Sequence, residues 1–128
     1  MSKNIPFFDG HNDFLLRLMM SPDPREDTFL GNANKGHLDL ARMKKAGFAG
    51  GLFAIFVPPI SGGPPPDFKK LMANPPYALP LPPLMTHTEA QPMAMTMAGL
   101  LHWMERAAPD DFKVCRSPSD IRAAMAKD

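Results

Sequence analysis

The stretch that most narrows what this chain can fold into runs from Gly50 to Pro59. Leu52-Phe53-Ala54-Ile55-Phe56-Val57 is a run of six apolar residues, preceded by Gly50-Gly51 and stopped by Pro58-Pro59. No polar residue alternates through it, so a strand here has two apolar faces and calls for a parallel sheet covered on both sides by helices. A buried helical segment competes with that reading, but the run is short for a helix and is bounded by glycine and proline. Ile5-Pro6-Phe7-Phe8, leading into a turn at Asp9-Gly10, reads as an earlier strand. Pro6 lacks an N–H and suits the first residues of such a strand.

The intervening and following segments supply helices. Phe14 to Met20 is apolar enough to begin a helix or pack as a covered loop, and Ser21-Pro22-Asp23-Pro24 breaks it. Asp39 is a good N-cap for a helix over 40–46 with Gly47 at C′, Leu40 and Met43 inward, and Arg42, Lys44 and Lys45 outward or near the C-terminal dipole. Residues 58–83 hold ten of the sixteen prolines, a density at which no regular helix or central strand is expected. The insertion, extending to about residue 88, reads as partly polyproline-like: a surface loop pinned by its own prolines, a lid over a site, or a proline-rich ligand. An amphipathic helix is predicted over 89–107, with Met93, Met97, Leu100, Leu101 and Met104 as its apolar stripe, a pattern commoner in cores than in peptide-binding surfaces. Phe112 to Cys115 is a short extended link. Ser117 as N-cap, Pro118 at N1 and Asp120 at N3 start a last helix, on which Ile121 and Met125 share a face. The fold class is α/β, in one domain with about two strand–helix units.

Charge and cysteine content exclude several roles. The formal net charge is +1 and Lys and Arg are not clustered, which argues against a nucleic-acid partner and against a polybasic membrane anchor. No segment approaches the ~20 apolar residues of a membrane span. No apolar run of signal-peptide length stands at the start, and a cytoplasmic location is expected. Cys115 is the one cysteine, so no disulfide can form within the chain, a reducing compartment fits, and the thiol is expected to be a small buried apolar group.

The residues able to carry chemistry are His11 and Asp13, at the end of the first apolar strand. In extended backbone, i and i+2 point to the same side, so an imidazole nitrogen and a carboxylate oxygen converge as half of a zinc site. Gly10 lets the backbone pass close to a bound group, and Asp9 or Asn12 could orient the pair from behind. On spacing alone a structural role competes, with Asp13 capping the segment that follows. A second His-X-Asp copy, His37-Leu38-Asp39, is explained by helix capping. His87, at the end of the insertion, and His102, on a helix, read as ordinary surface or packing residues.

In order along the chain stand Asp9-Gly10-His11-Asn12-Asp13 with Leu15-Leu16, Gly36-His37-Leu38-Asp39-Leu40-Ala41-Arg42, Gly47-Phe48-Ala49-Gly50-Gly51-Leu52-Phe53 with Phe56-Val57-Pro58, the helix through Leu100-Leu101-His102, and Ser117 to Ala124. This series resembles the N-terminal portion of the membrane (renal) dipeptidase family, peptidase family M19. The resemblance covers nearly all of the chain and is weakest in the proline-rich insertion; Ala41 stands where the family commonly has proline. It implies a (β/α)8 TIM-type barrel with two zinc ions at the C-terminal mouth of its strands, hydrolysis of dipeptides, and His11 and Asp13 as the first two metal ligands, both on one ion.

The same resemblance places the bridging glutamate, two further histidines and a later aspartate beyond residue 128, so no catalytic residue besides the metal ligands is identified here. A closed barrel takes about 250 residues and a catalytic zinc about three protein ligands. The expectation is therefore an incomplete barrel, as a truncated product, a fragment or one piece of a split protein, inactive alone. Its partners would be a dipeptide substrate and either a second copy or the missing C-terminal barrel portion. A non-catalytic interaction or scaffold piece is the alternative function. A different metal-dependent amide hydrolase with the same barrel opening is a third reading, which the downstream ligands would distinguish.

Overall fold

The computed structural model describes residues 5–32, 35–59, 67–79 and 81–126. Two strands, β1 (Phe7–Asn12) and β2 (Phe48–Phe53), pair in parallel as a two-stranded sheet. Between them the chain forms α1 (Phe14–Met20), α2 (Arg25–Leu30) and α3 (Leu40–Ala46). After β2 come α4 (Phe68–Leu71), α5 (His87–Ala107) and α6 (Pro118–Met125). The architecture is mixed α/β.

Local chemistry explains most helix ends. Asp39 accepts from the Arg42 N–H at 2.8 Å and so caps α3, while Gly47, at φ 82°, closes it. Gly31 closes α2 at φ 100°. Thr86 and Glu89 form a capping box on α5: the Glu89 N–H donates to the Thr86 hydroxyl oxygen, and the Thr86 N–H donates to Oε2 of Glu89 at 2.9 Å. The Thr86 hydroxyl also donates to Oε2 at 2.6 Å, and that bond first, then the one from the Thr86 N–H, holds the Glu89 carboxyl below the usual glutamate range. The box starts α5 at His87, two residues before the predicted Glu89, so His87 belongs to the helix rather than to the insertion. Ser117 caps α6 with Pro118 following, as its spacing predicts.

The core lies between the helices. Phe14, Leu15 and Leu18 of α1, Phe29 of α2, Leu40 and Met43 of α3, and Met97, Leu100 and Met104 of α5 are buried together with Ala108. Leu101 is half-buried beside them. An aromatic series ties this layer to the sheet: Phe53 meets Phe112 at 5.3 Å, Phe112 meets Phe29 at 5.8 Å, and Phe29 meets Trp103 at 5.8 Å between ring centroids. All three contacts are edge-on, the favoured aromatic geometry.

Several expectations need correcting. The second strand is 48–53 rather than 52–57, and residues 54–59 carry no ladder beyond the Ala54 N–H donating to the Asn12 carbonyl. The ladder can run only as far as its single neighbour does, and β1 ends at Asn12. Gly50 and Gly51 do not precede β2 but lie within it. A methyl on Gly50 would stand 2.9 Å from the Phe8 ring, and one on Gly51 would stand 2.7 Å from the Phe48 ring. The apolar run is not buried on both faces: Leu52, Ile55 and Phe56 are 60%, 47% and 50% exposed, because the helices cover one side only. The first strand continues through Asp9–Asn12 instead of turning at Asp9-Gly10. A one-turn helix, α4, does form within the proline-rich insertion, capped by Asp67. Cys115 is half-buried rather than buried. Ile121 and Met125 do share a helical face, but no residue of α6 is buried.

Candidate metal centre

β1 delivers His11 and Asp13 to the C-terminal end of the sheet. The strand is irregular there: three residues of β1 span the interval from Asp9 to Asn12 against two of β2 from Gly51 to Phe53. The side chains nevertheless converge. His11 Nε2 stands 3.4 Å from Asp13 Oδ1, and the two side chains are 68% and 55% exposed.

The backbone under the pair is held from behind by Asp9. Its Oδ1 accepts from the His11 N–H at 3.1 Å and its Oδ2 from the Asn12 side-chain amide at 3.1 Å. Asn12 Oδ1 in turn accepts from the Phe14 N–H at 3.2 Å. Asp13 occupies the N-cap position of α1, yet its side chain makes no cap hydrogen bond. The structural role that competes for Asp13 is thus taken by its neighbour Asn12. Gly10 has open space around it, nothing lying within 4 Å of an added methyl, so no neighbour among the described residues requires glycine there.

The other His-X-Asp copy behaves differently. His37 is exposed, while Asp39 is buried and its carboxylate bonds both the Arg42 N–H and the Arg42 guanidinium. His102 lies on α5, 3.8 Å from Glu105. His87 is exposed at the start of α5. Sequence reasoning left Asp9 and Asn12 undivided as supports; the two acceptor bonds of Asp9 separate their roles, and only the Asx-type spacing to residues 11 and 14 signals them.

The donor set can be tested for a metal by its own geometry. Ligand atoms set tetrahedrally about zinc at roughly 2.0–2.2 Å stand about 3.3–3.6 Å apart. The 3.4 Å separation of His11 Nε2 and Asp13 Oδ1 lies in that range. An imidazole nitrogen and a carboxylate are ordinary zinc donors, and both are open to solvent. They make half a site: among the described residues no group of three or more His, Cys, Asp and Glu side chains is placed to hold a metal ion. No helix among the described residues is long and apolar enough to cross a membrane.

Known proteins similar to this chain fit that picture. A dipeptidase solved as a metallopeptidase of family M19 is 53% identical with a TM-score of 0.82, covering 97% of this chain and 34% of its own. A metallopeptidase from Rhodobacter sphaeroides, solved with a phosphinate mimic of the dipeptide L-Ala-D-Ala, is 52% identical with a TM-score of 0.84, covering 97% and 35%. An uncharacterised protein in the PQQ-III 3′ region of Acinetobacter calcoaceticus is 35% identical over 127 residues, 98% of this chain and 38% of that protein. This chain therefore spans little more than a third of the length of the relatives it matches. The family model for membrane dipeptidase matches residues 1–128 from end to end, and the chain belongs to peptidase family M19.

Proposed function

We propose that these 128 residues form the opening of a zinc-dependent dipeptidase barrel, with β1 and β2 as the first two strands and His11 and Asp13 as the first two metal ligands. The observation that carries this reading is the Asp13 carboxylate: it stands at a helix N-cap without capping, and faces His11 Nε2 at 3.4 Å beyond the C-terminal end of a parallel strand. That end is where barrel enzymes keep their chemistry. Zinc held there would supply Lewis-acid polarisation of a peptide carbonyl and a water acidified toward neutral pH. His11 would bind through Nε2 as neutral imidazole, Asp13 would bring negative charge, and Asp9 would fix the backbone between them. The remaining ligands of a two-ion site would come from strands outside these residues, so the chain alone would not hydrolyse dipeptides.

The test joins residues 1–128 to the remaining portion of the Rhodobacter sphaeroides relative, whose matching third is 52% identical. The joined polypeptide should bind zinc, hydrolyse dipeptides, and lose activity on chelation and on His11→Ala or Asp13→Ala. Hydrolysis undiminished by both substitutions would sink the assignment.

A second reading, an interaction piece that pairs with another chain without catalysis, draws on the uncovered strands. Phe7, Phe8 and Leu52 are 45%, 48% and 60% exposed, more apolar surface than a lone two-stranded sheet can shelter. It expects association that survives both chelation and the two alanine substitutions.

A further inference from the structure

Asp13 differs from the other helix starts of this chain, and the difference traces to Asn12. Every other N-cap among the described residues whose side chain can accept a bond does so. Asp39, Thr86 and Ser117 cap at extended ψ of 169°, 156° and 158°, and Asp67 caps at ψ 85°. Asp13 stands at ψ 31°, and its carboxylate accepts no such bond. Aspartate is among the residues most favoured at an N-cap, so something holds this one out of the role.

Asn12 supplies that hold. Its Oδ1 accepts from the Phe14 N–H at 3.2 Å, closing an Asx turn around Asp13. Both backbone torsions of Asp13 lie inside the closed ring, so the bond keeps its ψ away from the values at which the other caps work. The amide has one usable orientation: Nδ2 donates to Asp9 Oδ2 at 3.1 Å, which leaves Oδ1 for Phe14. The turn is also anchored at both ends. The Asn12 carbonyl accepts from the Ala54 N–H at 2.9 Å, and the Phe14 ring is buried in the core.

We infer that Asn12 is a positioning residue for metal capture: its Asx turn withholds Asp13 from capping α1 and leaves the carboxylate facing His11 Nε2. This rests on the dipeptidase reading above. Without the Asn12 side chain, Asp13 can turn to an extended ψ and cap its own helix. A cap shifts such an equilibrium about fivefold. Most of the zinc-free protein would then hold Asp13 on the helix, and zinc would bind about fivefold more weakly. Serine at position 12 closes the same kind of turn, more weakly, and so restores part of the hold.

The experiment has two arms. Zinc affinity is measured by competition with a chromophoric chelator on the joined polypeptide, as wild type, Asn12→Ala, Asn12→Ser and Asp13→Ala. Urea unfolding of the zinc-free 128-residue chain, followed by Trp103 fluorescence, compares Asp13→Ala in the wild-type and Asn12→Ala backgrounds. Asn12→Ala should weaken zinc about fivefold, and Asn12→Ser should recover most of that loss. Asp13→Ala should raise the unfolding constant no more than about twofold alone but about fivefold beside Asn12→Ala, where the carboxylate has become a cap. A purely structural Asn12 would give Asp13→Ala the same effect in both backgrounds, and that result overturns the inference. Undiminished zinc affinity in Asn12→Ala overturns it too, while leaving the dipeptidase reading standing if Asp13→Ala still loses zinc. Should Asn12→Ala not fold, Asn12→Ser decides, and a loss of about fivefold or more there counts against the turn. Wild-type zinc affinity in Asp13→Ala overturns the parent reading, and this one with it.

Discussion

Replacing Asp13 or Asp39 by alanine removes a carboxylate from the same N-cap position of two different helices, and the structure sets very different consequences for the two. Asp39 is 1% exposed, accepts the Arg42 N–H at 2.8 Å and also holds the Arg42 guanidinium. Loss of a working cap costs about 1 kcal/mol, within a range of roughly 0.5–2. Loss of the ion pair adds about 0.5 kcal/mol, since the Arg42 side chain is 38% exposed and partly screened. Asp39→Ala should therefore destabilise by about 1.5 kcal/mol, within roughly 1–2.5. The Asp13 carboxylate accepts no cap bond and, among the described residues, pairs with the solvent-exposed His11, so Asp13→Ala should cost below about 0.5 kcal/mol. Trp103, the one tryptophan, packs on the fully buried Phe29 and gives a fluorescence signal for urea unfolding of the 128-residue chain. Zinc titration of the joined polypeptide supplies the second measurement: affinity should fall more than about 100-fold in Asp13→Ala and stay unchanged in Asp39→Ala. An Asp13→Ala variant as unstable as Asp39→Ala, or one that keeps its zinc affinity, would refute the division of labour between the two aspartates.

Phe29→Ala should cost about 3–5 kcal/mol in urea unfolding, because a fully buried ring touching Phe14, Trp103 and Phe112 leaves a cavity that three other rings cannot close. Gly31→Ala should destabilise by about 1–3 kcal/mol on the same assay: φ is 100° there, and the new Cβ would stand 2.9 Å from the Asp39 carboxylate. The first turn of α5 should loosen in acid. The Glu89 carboxyl is depressed in the folded state by its bonds from Thr86, so its contribution is present above the unfolded value and is lost as pH falls below about 4.3 through the folded one. Protection of the Glu89 and Ala90 amides, corrected for the intrinsic exchange rate at each pH, should fall over that window and stay flat in Glu89→Gln; identical protection profiles in the two proteins would contradict the capping box.

Which parts of this architecture could be read from residues alone follows from the range of the forces involved. The caps at Asp39, Ser117 and Gly47 are local chemistry between positions a turn apart, and they stand where their spacing puts them. The stripe on α5 is also legible, since Met97, Leu100 and Met104 repeat at helical period and are buried. β2 was misplaced by four residues because six apolar side chains advertise burial, whereas its ladder is set by where β1 lies and by two glycines that admit the rings of Phe8 and Phe48. The aromatic series through Phe29, Phe112 and Trp103 left no periodic trace, its members coming from separate segments. At the site, His11 and Asp13 were visible as a pair, but only coordinates show Asn12 taking over the contact to Phe14 and leaving Asp13 outward.

The carboxylate of Asp9 reaches two successive residues of the irregular end of β1, through the His11 N–H and the Asn12 side-chain amide. Backbone so braced has little conformational freedom left to surrender when a ligand arrives. Capture by His11 and Asp13 should accordingly carry a small backbone entropic penalty, because the irregular strand end that presents them is already set by the side chains of Asp9 and Asn12.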